Sequence, residues 1–154
     1  MNKLIHNINM THPTVNIFYK HTWIEIDKAI YPLIQELLRA EIETTLSCQN
    51  NPDGWIWISF SNTLMTEAFL SILVQDPDFV RADRLKQSII QGDDWQFKAT
   101  PRVLGFNNNN RVKFDMAVRF KTALYEDILN SVKQYNKCTQ PLMVQYTGSQ
   151  PGSV

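Results

Sequence analysis

Glycine and cysteine are scarce in this chain, and long apolar runs are missing from it. With five glycines in 154 residues, there is no GxGxxG and no GxxxxGKS/T, so the loops that cradle phosphates are excluded. Neither a GxSxG elbow nor an HExxH helix occurs, which removes the best-marked hydrolase sites. Cys48 and Cys138 are the two cysteines, too few for a disulfide framework and not in a CxxC pair. They read as reduced thiols and imply a cytoplasmic location. No apolar stretch approaches the ~20 residues of a membrane span, and MNKLIHNINMTHPT makes a poor signal peptide. No membrane partner is expected. His6, His12 and His21 stand at no metal-binding spacing, so neither a metal nor another cofactor is expected. A net charge of zero argues against a generic polyanion binder.

What is present is an ordinary globular composition, 44% hydrophobic and 19% charged, in a chain long enough for one domain with its own core. The expected layout is an N-terminal extension over 1–13, a single α+β domain over 14–136 and a flexible C-terminal tail over 137–154. TVNIFYK alternates as a strand that runs on towards Ile26. Asp27 reads as a helix N-cap, with Ile30, Leu33, Ile34, Leu37 and Leu38 as one apolar stripe. Strands follow over Ile42 to Cys48 and Trp55 to Phe60, joined by NNPDG, a good hairpin turn. Asn62 to Val74 is a helix. Asp76-Pro77 ends it and opens another, whose weaker apolar face holds Phe79, Val80, Leu85, Ile89 and Ile90. Gly92 ends that helix. A strand begins at Trp95, with Pro101 as a candidate interruption before Arg102 to Phe106. FNNNNR is a turn. Arg111 to Lys121 alternates cleanly, with Val112, Phe114, Met116, Val118 and Phe120 on one face. Thr122 caps a last helix. The order β-α-β-β-α-α-β-β-α predicts an antiparallel or mixed sheet of about five strands with helices mainly on one face, around a ferredoxin-like core.

Charge is unevenly placed. Residues 1–76 hold four Lys/Arg against eight Asp/Glu, and residues 77–154 hold eleven against seven, so the halves carry −4 and +4. The clearest strand turns Arg111, Lys113, Arg119 and Lys121 outward, with Asp115 opposing. A paired strand would add Gln96, Lys98 and Thr100, with Arg102 nearby. Six cations on adjacent strands could meet phosphates and release counterions; the same charges could also simply keep a solvated sheet soluble. Trp55 and Trp57 share a face opposite Ile56, Ile58 and Phe60. That face is either covered in a central strand or an aromatic platform for bases or a partner. Cys48 would be a nucleophile only with its pKa lowered by a neighbour such as His21.

Residues 27–60 read DKAIYPLIQELLRAEIETTLSCQ, a gap, then GWIWISF. This resembles small uncharacterised bacterial, cyanobacterial and phage proteins in which an Asp-capped helix precedes a strand ending Ser-Cys-Gln. The resemblance implies a small α+β domain and a mobile-element origin, and nothing chemical.

The absence of a catalytic constellation and the surplus of aromatics point to a non-enzymatic binding or assembly module. It would act through its sheet or a self-interface, as a homodimer or with a protein partner, using Trp55, Trp57, Arg119 and Lys121. The alternative is a nucleic-acid binder with Lys98, Arg111, Lys113, Arg119 and Lys121 on phosphates. A third reading is an enzyme with Cys48 as nucleophile.

Overall fold

Two antiparallel sheets and four α-helices make up the computed structural model, which describes residues 12–50 and 54–139 and leaves the side chains of Leu46, Cys48, Gln49 and Asn50 undescribed. The chain opens with β1 (Thr14–Tyr19) and β2 (Thr22–Asp27), paired in register from Thr14 with Asp27 to Tyr19 with Thr22. Two residues join them. Lys20 and His21 have φ of 45° and 67°, the left-handed pair that a type I′ hairpin turn requires. The single strand expected to run on towards Ile26 is therefore a hairpin. Lys20 anchors its tip by an ion pair with Glu43.

Helix α1 (Tyr31–Arg39) begins later than a cap at Asp27 would allow. Such a cap would put Pro32 at the fifth helical position, where its ring would clash with the Lys28 carbonyl and a backbone hydrogen bond would be lost. Pro32 sits instead in the first turn, where a missing N–H costs nothing. Asp27 closes a turn of its own: its Oδ1 accepts from the Ala29 N–H at 3.1 Å, and its carbonyl accepts from the Ile30 N–H at 3.1 Å.

Strands β3 (Thr44–Asn50) and β4 (Trp55–Phe60) form the second hairpin. Asn62 then caps α2 (Thr63–Val74), accepting from the Met65 N–H at 2.9 Å. Asp78 caps α3 (Phe79–Gln91), and Gly92, at φ 80°, ends it in the left-handed conformation. Strands β5 (Trp95–Leu104) and β6 (Arg111–Lys121) form the third hairpin. A 3-10 turn at Thr122–Leu124 leads into α4 (Tyr125–Thr139). This helix includes residues 137–139, which the sequence assigned to the tail. The rest of that tail, 140–154, and residues 1–11 of the N-terminal extension lie outside the described residues.

The larger sheet has the order β3-β4-β6-β5. It is two hairpins joined by antiparallel pairing of β4 with β6. The expected sheet of about five strands is thus sheets of two and four. β1, which a ferredoxin-like core would place inside the main sheet, pairs with β2 instead. Pro101 does not interrupt β5, because β5 lies at the sheet edge, where a residue without an N–H is tolerated.

One face of the sheet carries the core. Ile56, Ile58 and Phe60 of β4, Val118 and Phe120 of β6 and Trp95 of β5 are buried there. They join one cluster with Leu33 and Leu37 of α1, Phe69 and Leu73 of α2, Leu85 of α3, and Ile128 and Val132 of α4. Each such side chain contributes about 1.5–3 kcal/mol by leaving water. The expected apolar face of α3 is narrower than its sequence suggests: Ala82 and Leu85 are buried, while Phe79, Val80 and Ile90 stay exposed.

Polar locks set the helix positions. Asn136 of α4 donates to the Glu36 carbonyl at 2.9 Å and to Glu36 Oε2 at 2.7 Å. Arg84 of α3 grips Asp127 of α4 with two hydrogen bonds of 3.0 and 2.9 Å. At the α2–α3 joint, Arg81 Nε donates to the buried Asp76 Oδ2 at 2.5 Å and Arg81 Nη2 donates to Oδ1 at 3.0 Å. Burial opposes the Asp76 charge, but the hydrogen bonds from Arg81 and from the Asp78 N–H outweigh it. The carboxyl titrates below its ordinary value of 3.8. Its folded pKa is the depressed one. Its stabilisation is therefore complete above about pH 4 and is lost as pH falls through the folded value. Chemical unfolding of Asp76→Asn at pH 7 should show a loss of about 3 kcal/mol. The variant's acid unfolding should also lack this carboxyl's contribution below pH 4.

Candidate functional site

The side of the main sheet away from the core is exposed along β5 and half-buried along β4 and β6, with Ser59 buried. Strand alternation puts Trp55, Trp57 and Ser59 of β4 there, opposite Ile56, Ile58 and Phe60. The pairing of β4 with β6 sets Trp55 against Lys121, Trp57 against Arg119 and Ser59 against Ala117. The pairing of β5 with β6 continues the row, with Gln96 against Arg119 and Lys98 against Ala117. Trp55, Trp57 and Arg119 are half-buried, and Lys121, Gln96 and Lys98 are exposed. On this side two indoles and three cations meet across three strands.

Within it, Lys121 Nζ lies 5.7 Å from the centroid of the Trp55 ring, a cation–π contact. Lys121 also pairs with Asp94 at 3.1 Å. Its charge is therefore partly spent. On the other side of Trp57, the register places Cys48 of β3.

Beyond the end of β4, β5 and β6 run on as a two-stranded ribbon. The last β4–β6 pair is Phe60 with Met116, whereas β5 and β6 remain paired out to Leu104 and Arg111. The cationic side continues along it through Arg102, Lys113 and Arg111. Arg102 and Lys113 are direct cross-strand partners, an arrangement of like charges that costs stability. Asp115 relieves part of it by pairing with Arg102 at 3.0 Å. Among the described residues Lys98, Arg111, Lys113 and Arg119 have no carboxylate partner. Four of the six predicted cations therefore keep their charge available for a ligand.

The ribbon tip needs its glycine. Gly105 has φ 121°, and a Cβ there would stand 2.2 Å from the Asn109 carbonyl oxygen. Asn107 follows at φ 57°, a conformation asparagine tolerates better than most residues.

All seven residues singled out by the sequence, Trp55, Trp57, Lys98, Arg111, Lys113, Arg119 and Lys121, fall on this one side of the sheet. His21, the neighbour that would activate Cys48, sits exposed in the β1–β2 turn. The Cys48 side chain lies outside the described residues. Among the described residues no group of three His, Cys, Asp or Glu could hold a metal ion, and no helix is long and apolar enough to cross a membrane.

One feature had no signal in the sequence. A groove of about 520 Å³ opens between β1 and α1, walled by Ile17, Tyr19, Tyr31, Leu38 and Arg39. Arg39 is held there by Glu36 at 2.9 Å. The groove depends on the unforeseen hairpin turn and shares no residue with the sheet face.

Comparison with protein-family models, with curated proteins and with solved structures gives no match, so the functional reading rests on the residues of this chain.

Proposed function

We propose that the chain is a non-enzymatic binding module that holds single-stranded nucleic acid on the open face of its main sheet. The observation that carries this reading is the cross-strand register: Trp57 beside Arg119 and Trp55 beside Lys121, continued by Lys98 on β5 and by Lys113 and Arg111 on the ribbon. Indole rings offer a stacking surface to any base, worth about 1–3 kcal/mol per base. Cations without carboxylate partners neutralise phosphates and release counterions. A face with half-buried indoles suits splayed bases better than a duplex, whose bases are already stacked.

Zero net charge is compatible with this reading because the binding field is local. The −4 of the N-terminal half is separated in sequence from the strand pair that carries the cations. The cross-strand Arg102 and Lys113 favour a ligand as well, since an anion laid across them would remove the repulsion. We place the module in the cytosol, where Cys48 and Cys138 stay reduced. The assembly role that the sequence also suggests needs a surface other than this one.

A labelled oligonucleotide of mixed sequence, titrated at ~50 and ~200 mM salt, tests the proposal. Four phosphate contacts give a slope of about −3 in log K against log salt. The double variant Lys98→Ala, Arg119→Ala should flatten the slope by about 1.4, and Trp57→Ala should weaken binding by about 1–3 kcal/mol. Absence of binding at low salt, or binding unchanged in all these variants, would overturn the assignment.

A further inference from the structure

We propose that the apolar side of the β5–β6 ribbon is a self-interface, closed by the same surface of a second copy of this chain. The ribbon beyond β4 has five cross-strand pairs, from Thr100 with Asp115 to Leu104 with Arg111, and projects roughly 17 Å. Its charged residues share one side, described above. The other side holds Pro101 against Phe114 and Val103 against Val112, with Phe97 at its base. Val103 is 67% exposed, Val112 60%, and Phe114 and Phe97 46% each. The tip adds Phe106, 90% exposed. The sequence pattern marks Val112, Phe114, Met116, Val118 and Phe120 as one apolar face, yet the core of a single copy buries Val118 and Phe120 alone. The outer half of that face has no cover within the described residues.

Three observations select a second copy as the cover. The first is area. Phe97, Val103, Phe106, Val112 and Phe114 leave roughly 500 Å² of apolar surface open, so a twofold pairing of two such faces buries about 1,000 Å², the size at which specific interfaces begin. The second is charge. The face carries no charged residue, which leaves nothing to select a partner of opposite sign. Two copies, each of net charge zero, approach without long-range repulsion, and their cations stay in water on the outer sides. The third is the edge. β5 is one free edge of the ribbon, and Pro101 within it withholds an N–H, which hinders extension of the sheet along that edge. Stacking face to face needs no free edge, with one patch meeting itself across a twofold axis. A dimer built this way leaves each copy's tryptophan-bearing face open. The inference uses a different surface from the nucleic-acid reading, and either can fail without the other.

Sedimentation equilibrium of the full chain up to about 100 µM tests it, because self-association must follow mass action. The expected result is a mass rising to twice that of the chain. Val112→Thr and Phe114→Thr keep strand-forming side chains and remove apolar area; each should weaken self-association about tenfold or more. Val112 is 60% exposed in a single copy, so circular dichroism and the unfolding midpoint of the dissociated Val112→Thr chain should stay as in the parent. A chain that remains monomeric throughout overturns the proposal, and so does a dimer of undiminished strength in both variants. Shielding of the Val112 and Phe114 side chains from a dissolved paramagnetic probe in a monomer would likewise overturn it and assign the cover to this chain's own segments. Shielding that appears only on adding an oligonucleotide would assign the cover to that ligand.

Discussion

The pairing of β4 with β6 is the constraint on which the rest of this structure depends. Ile58 meets Val118, Ile56 meets Phe120 and Phe60 meets Met116, between segments about sixty residues apart in the sequence. Neither hairpin could bury its apolar side alone, since an isolated two-stranded hairpin is marginal in water. Joined, they make a four-stranded sheet with one face under the helices. The same pairing puts Trp55 and Trp57 beside Lys121 and Arg119 on the other face. A slip of one residue in β4 would turn both indoles into the core and carry Ile56 and Ile58 out to water. Core and candidate site are thus two consequences of one register.

Strand length supplies the second constraint. β4 has six residues, and its partner β6 has eleven. The excess has only β5 to pair with, and it becomes a ribbon wet on both sides. Alternation sorts its side chains into a cationic side and an apolar side, so one mismatch in length creates two surfaces of opposite chemistry. A solvated sheet made only for stability would shorten the ribbon or cover it. This one keeps its cations directly opposed and its phenylalanines in water, at a cost that a ligand on one side and a second copy on the other would offset.

Much of this was legible in the sequence because it is local. Asn62 and Gly92 mark helix ends through their own backbone chemistry, and Arg111 to Lys121 shows its two faces by alternation alone. The seven candidate residues share one side because a period of two fixes the side before any pairing is known. The illegible parts are those where distant segments decide. Lys20 and His21 take left-handed conformations with neither glycine nor asparagine to announce a turn, so the first hairpin had no signal and the strand count failed with it. The start of α1 is set by Pro32 rather than by the better-looking cap at Asp27. Alternation identifies the apolar side of β6, but only the length of β4 determines how far that side is covered. The pairing of Lys121 with Asp94 likewise reduces the value of one predicted cation, through a contact between the β4–β6 junction and the loop before β5.

The two indoles of β4 are the centre of the proposed binding face, and they are two of the chain's four tryptophans. The direct measurement is a two-dimensional NMR titration with a short single-stranded oligonucleotide, following the four indole N–H signals together with the amides of β5 and β6. The Trp55 and Trp57 signals should move with the amides of Lys98 and Arg119, while Trp23 in the first hairpin and Trp95 in the core stay still. Movement centred on Trp23 and the groove beside α1, or a spectrum that does not change, would contradict it.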